Sequence, residues 1–147
     1  MAKIPHTIGV ITPGGDAPGM NPAIRAVVRR AVYTKFAVMG IRHGYKGLAE
    51  GDVVDMDLRA VGGIINRGGT ILRTVRCPDM LKKSYRSRCA DQLKHHDIEA
   101  LVIIGGDGSM RSGAALQSEF GIPVVHVPAS IDNDIPGTDL RLDSIPR

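Results

Sequence analysis

Ala100-Leu101-Val102-Ile103-Ile104 is an unbroken apolar run that passes straight into Gly105-Gly106-Asp107-Gly108-Ser109. A run this short, without alternation and rich in β-branched residues, predicts a strand buried on both faces, and therefore a parallel sheet covered above and below. Three other segments follow the same rule. Residues 7–12 are β-branched and stop at Pro13-Gly14-Gly15, residues 36–41 read as a second strand, and residues 122–127 read as a last strand ending at Pro128.

Between these runs the period changes to that of a helix. Asn21-Pro22 supplies a capping residue and a proline at the first helical position, predicting a helix over residues 23 to about 35. Ile24, Val27, Val28 and Ala31 fall on one face, with Arg25, Arg29 and Arg30 off that stripe. Residues 78–96 are helical in composition and strongly basic, and residues 110–119 form a further helix. Residues 61–65 suggest a short helical turn. The stretch 43–57, punctuated by Gly44, Gly47 and Gly51, yields no clear element. The fold class is α/β, a mostly parallel sheet with helices on both faces. No internal repeat or linker divides the chain.

Three loops bearing glycine or aspartate follow the carboxyl ends of three strands, and in a parallel sheet those ends share the edge where open α/β sheets bind ligands. Gly14 to Asn21 lies between a strand and a helix N-terminus, where glycine admits a phosphate close to the backbone. It is not a Walker loop, since no Gly-Lys-Ser/Thr follows, and read alone it is equally a structural turn. Asp107, flanked by glycines, suits a Mg²⁺ held by one carboxylate, water and phosphate oxygens. The bland alternative is a helix cap by Asp107 or Ser109. Asp132 and Asp134 in Ser130-Ile131-Asp132-Asn133-Asp134 suit acid–base or metal chemistry, or else an Asx turn before Ile135-Pro136-Gly137. Arg67 and Arg76 flank Gly68-Gly69-Thr70 and have the fork geometry for phosphate, although most single arginines are simply solvated. His95-His96 closes a basic helix, and His126 reads as a packed strand residue.

The 147 residues carry a formal charge of +4 and are 43% hydrophobic and 3% aromatic. The charge suits an anionic ligand, but no Lys/Arg block points to nucleic acid. Cys77 and Cys89 form neither a disulfide framework nor a metal spacing. No apolar run reaches membrane-spanning length, and the first residues lack the form of a signal peptide, so a cytoplasmic protein is expected.

Taken in order and at these separations, the strings Gly14 to Asn21, Arg67 to Thr70, Gly105 to Ser109 and Ser130 to Asp134 resemble the ATP-dependent 6-phosphofructokinase family. The resemblance covers residues 7–139 and implies its N-terminal, Rossmann-like nucleotide-binding domain. It implies ATP contacts at Gly15, Arg76, Cys77, Gly106, Asp107, Gly108 and Ser109, with Asp107 associated with Mg²⁺. Ser130 and Asp132 match substrate-contacting positions, with Asp132 the catalytic base. Arg25, Arg29 and Arg59 match positions that bind a regulatory nucleotide in bacterial members.

The implied reaction is phosphoryl transfer from ATP to fructose 6-phosphate in glycolysis, by an enzyme expected to be an allosteric homotetramer. Gly108 and Ala129 match ATP-using members better than pyrophosphate-using relatives, which tend to carry aspartate and lysine there. Ser130 replaces a frequent threonine, and Pro13 stands where a small hydroxyl residue is common. Residues 140–147 depart from the family pattern, so a truncation or frameshift is expected, with an isolated chain weak or inactive. The alternative is a non-catalytic nucleotide-binding or assembly module that needs a partner half.

Overall fold

The computed structural model describes residues 6–129; Ser130, Asp132, Asp134 and residues 140–147 lie outside the described residues. Strands β1 (Thr7–Ile11), β2 (Ala37–Ile41), β3 (Val53–Met56), β4 (Ala100–Gly105) and β5 (Val124–Pro128) form one sheet in the order β3-β2-β1-β4-β5. Four strands run parallel, and β3 lies antiparallel at one edge. The helices are α1 (Met20–Tyr33), α2 (Gly44–Glu50), α3 (Lys83–His95) and α4 (Asp107–Phe120), with a 3₁₀ turn at Pro78–Leu81. Among the described residues no helix is long and apolar enough to cross a membrane.

Successive strand residues point to opposite faces, and the core divides accordingly. Val10, Val38 and Ile104 pack with Met20, Ile24, Val28 and Ala31 of α1. Ile11, Ile41, Leu101 and Ile103 pack instead with Tyr45 and Leu48 of α2, Cys89 and Leu93 of α3, and Leu116 of α4. Helices therefore cover both faces, as the uninterrupted apolar strands require.

Several local expectations change. Residues 43–57 form α2 and β3, because Tyr45, Leu48 and Ala49 recur at helical spacing and Gly51, at φ 76°, ends the helix in the left-handed region. Residues 61–65 make hydrogen-bonded turns and no helix; Gly63, at φ 68°, breaks the helical path. Even so, Val61 and Ile64 of this segment, and Leu72 beyond it, are buried against the α1 side of the sheet. Asn21 does not cap α1. The helix starts at Met20, two residues before the expected first helical residue Pro22, with Gly19 at the cap position, and the Asn21 side chain is engaged elsewhere. Helix α4 begins at Asp107, where an early carboxylate complements the helix dipole.

Candidate functional site

Ile11 of β1 is paired with Ile103 of β4, so the loops after these two strands leave the same edge side by side. The chain leaves β1 towards α1 on one face and leaves β4 towards α4 on the other, which makes their junction the point where the winding reverses. The loops are joined directly. Ser109 Oγ donates to the Pro13 carbonyl at 3.0 Å, and both are buried. A Cβ on Gly105 would lie 2.7 Å from Ser109 Oγ and 2.9 Å from the Pro13 carbonyl oxygen, so this approach needs glycine. Gly14, at φ 89°, turns the chain away from β1.

A third element closes the arrangement. The Tyr45 hydroxyl of α2 donates to the Ser109 carbonyl at 2.8 Å. Burial pushes this phenol far above its ordinary titration range, so it remains a protonated donor. These contacts border a cleft of about 440 Å³ lined by Gly14, Tyr45, Arg76, Cys77, Gly108 and Ser109. Its remaining wall, with Val75, Pro78, Met80 and Leu81, is largely apolar. A cleft with one apolar wall and one wall of glycine, backbone amides and a helix start accepts a flat heterocycle joined to an anion.

The sequence-predicted residues divide clearly. Arg76, Cys77, Gly108 and Ser109 meet at the cleft, Gly15 and Asp107 adjoin lining residues in the chain, and Gly106 is one position further from the lining. Arg67 borders a separate concavity with Asp16, Pro18 and Gly69. Arg25 is half-buried on α1, Arg29 is exposed on the same helix, and Arg59 is exposed after β3; none lines the cleft. Ser130 and Asp132 fall outside the described residues.

Asp107 is the first residue of α4, and its Oδ2 accepts from Arg111 Nε at 2.9 Å. Among the described residues no group of three or more His, Cys, Asp or Glu side chains is placed to cage a metal. A lone accessible carboxylate fits a hard cation that takes its other oxygens from phosphate and water. His126 donates from Nε2 to the Gly105 carbonyl at 2.9 Å, a packed histidine as expected. Cys89 lies beneath the site, with its thiol pushed up to about 12 by burial.

The residues that sequence reasoning missed are Tyr45, Met80 and Leu81 of the cleft wall, with Thr12 and Thr74; Asn21 and Thr70 fell within the motif strings but without the long-range contacts they make. The signal for Tyr45 is its spacing with Leu48 and Ala49. Thr12 is visible as a hydroxyl directly after a buried strand.

Comparison with known proteins agrees with this geometry. The family model described as Phosphofructokinase matches residues 7–142. The chain is 53% identical over 136 residues to the ATP-dependent 6-phosphofructokinase of Thermoanaerobacter sp. (strain X514), covering 92% of this chain and 42% of that protein. It is 56% identical over 135 residues to the ATP-dependent 6-phosphofructokinase of Bacillus cytotoxicus, again covering 92% of this chain and 42% of the relative. The chain thus spans less than half the length of these curated relatives. Among solved structures, the T-state phosphofructokinase of Pichia pastoris superposes with a TM-score of 0.87 at 33% identity, covering 97% of this chain and 17% of that one. With the family model matching nearly the whole chain and the loops meeting at the reversal point of the sheet, the chain belongs to the phosphofructokinase family.

Proposed function

We propose that this chain forms the phosphoryl-donor half of an ATP-dependent 6-phosphofructokinase. The observation that carries the reading is the convergence of Gly14, Arg76, Cys77, Gly108 and Ser109 on one cleft at the reversal point of the sheet. The adenine lies against the apolar wall, and the phosphates run over Gly15 and the start of α4. Arg76 neutralises charge on the transferred group. Gly108 has open space where a side chain would stand, and a carboxylate there would repel a nucleotide phosphate. That supports ATP as donor.

Mg²⁺ belongs to this reading, with Asp107 as its protein ligand; when bound, the ion offsets the negative charge of the phosphates. Asp132 takes the proton of the attacking sugar hydroxyl, and Ser130 contacts fructose 6-phosphate. Arg25, Arg29 and Arg59 form an effector site for a nucleotide. The homotetramer and cytoplasmic location expected from the resemblance are part of the same proposal.

A second reading, a nucleotide-binding module that acts only with a partner half, is favoured by the exposed apolar concavity beside α1, where Val125 is 63% exposed. Calorimetry with Mg²⁺–ATP, run beside a coupled kinase assay, tests both. The parental chain is expected to bind, and Asp107→Ala to weaken binding by about tenfold or more, the scale of one charge-assisted contact. Binding without turnover selects the partner-dependent module. Absence of binding overturns both readings.

A further inference from the structure

The segment 57–77 crosses from β3 to the 3₁₀ turn without a helix or strand of its own, yet it delivers Arg76 and Cys77 to the cleft. It is tied at successive points to the β1 loop and the start of α1. Asn21, buried to 2% exposure, donates from Nδ2 to the carbonyls of Arg67 at 3.1 Å and Gly69 at 2.7 Å. Its Oδ1 accepts from the Ile71 amide at 2.8 Å. Both amide protons and the carbonyl are therefore used across the gap between two segments. Asp16 Oδ1 accepts from the Thr70 amide at 3.0 Å.

The next three ties involve hydroxyls. Thr12 Oγ1 donates to the Arg73 carbonyl at 3.3 Å and lies 2.9 Å from Thr70 Oγ1. With its single proton on Arg73, Thr12 is the acceptor for Thr70. Thr74 then donates to the Gly14 carbonyl, two residues before Arg76. Arg73, between these ties, is held at φ 60°, a left-handed conformation that a non-glycine residue keeps only when its surroundings impose it.

We propose that Asn21 and Thr74 are positioning residues for the nucleotide cleft, setting the path of segment 67–75 so that Arg76 is pre-ordered before nucleotide arrives. The inference rests on the nucleotide reading of the cleft. Neither side chain lines the cleft itself. Their effect is to remove the cost of ordering a long segment from the binding step.

The test is a double-mutant cycle on the full chain with Mg²⁺–ATP as probe, using Asn21→Ala, Arg76→Ala and the pair. Amide exchange at Thr70 and Ile71 is followed in parallel. Asn21→Ala is expected to weaken binding by about tenfold and to expose the Ile71 amide, whose acceptor it removes, while β4 amides stay protected. Arg76→Ala is expected to add less than about twofold in that background, because its contribution has already been lost. A loss that a merely structural residue causes would multiply in full with that of Arg76. Full multiplication, or unchanged affinity in Asn21→Ala, overturns the proposal. Should Asn21→Ala fail to fold, Thr74→Val carries the same cycle, since it removes the hydroxyl and keeps the shape. A parental chain that binds no Mg²⁺–ATP sinks the nucleotide reading and this proposal together; a parental chain that binds, with multiplicative losses, sinks only the positioning role.

Discussion

The two faces of the sheet are built to different degrees of closure. On the side of α2, α3 and α4, three helices press on β1, β2 and β4, and Ile11, Ile103, Leu93 and Leu116 are fully or almost fully buried. On the other side, α1 and the turns of segment 57–77 cover β1, β2 and part of β4, and reach β5 only at the partly buried Val127, leaving Val125 exposed. Beyond α1 lies an apolar concavity of about 490 Å³ lined by Ile8, Val27, Phe36, Val102, Val125 and Val127, with Val125 63% exposed. The cause is topological: among the described helices, only the β1-to-β2 crossover lays a helix on that face. The reversal that creates the cleft thus also leaves one face thinly covered at β5.

The closed face should be the least forgiving. Leu116→Ala removes a fully buried side chain from the α4–sheet contact and is expected to cost about 2–5 kcal/mol, read as a lowered urea midpoint. A cost below about 1 kcal/mol would mean that this face is no tighter than the other. The cysteines offer a second comparison. Cys77 is half-buried at the cleft, whereas Cys89 is buried on the closed face with a thiol pushed up to about 12. An aromatic disulfide reagent at pH 8 should label Cys77 faster than Cys89 by on the order of a hundredfold, because thiolate attack needs both ionisation and access. Equal labelling rates would show that α3 opens readily.

On the open face a polar replacement should be nearly free. Val125→Thr keeps the β-branched shape that a strand prefers and is expected to change stability by no more than about 0.5 kcal/mol. Binding of a hydrophobic dye should fall, since an exposed apolar patch is interrupted. A loss of about 2 kcal/mol in this variant would place Val125 in a closed core and dissolve the contrast between the faces.

The strands were legible because burial on both faces demands unbroken apolar runs, and β4 followed by its glycine loop located the site as well. Arg76, Cys77, Gly108 and Ser109 were legible through motif resemblance, each loop being short and local. Residues 43–57 were not, because α2 is only two turns long and its glycines imitate loop composition. Asn21 was misread for a physical reason. A residue with cap chemistry beside a proline satisfies the local rule, but its amide gains three bonds to residues some fifty positions away. Long-range partners of that kind leave no periodicity in the sequence.

The smallest expected effect concerns β5, the strand where the two faces meet an edge. Val125 points to the open side, and His126, its neighbour, donates from Nε2 to the Gly105 carbonyl on β4. Burial holds His126 below its ordinary value of 6.5, outweighing the backbone hydrogen bonds that favour the charged form. The unfolded chain therefore binds a proton at a higher pH than the folded chain does. Stability from this group is complete above about pH 6.5 and declines as pH falls through that value towards the lower folded one. His126→Gln keeps a donor for Gly105 and cannot titrate, so its urea midpoint should change less between pH 7.5 and 5.5 than that of the parental chain. An identical pH dependence in both would assign the slope to another group and leave β5 without a titrating anchor. A flattened slope combined with an unchanged Leu116→Ala cost would show that the β5 edge and the closed core contribute independently, as their separation on the sheet requires.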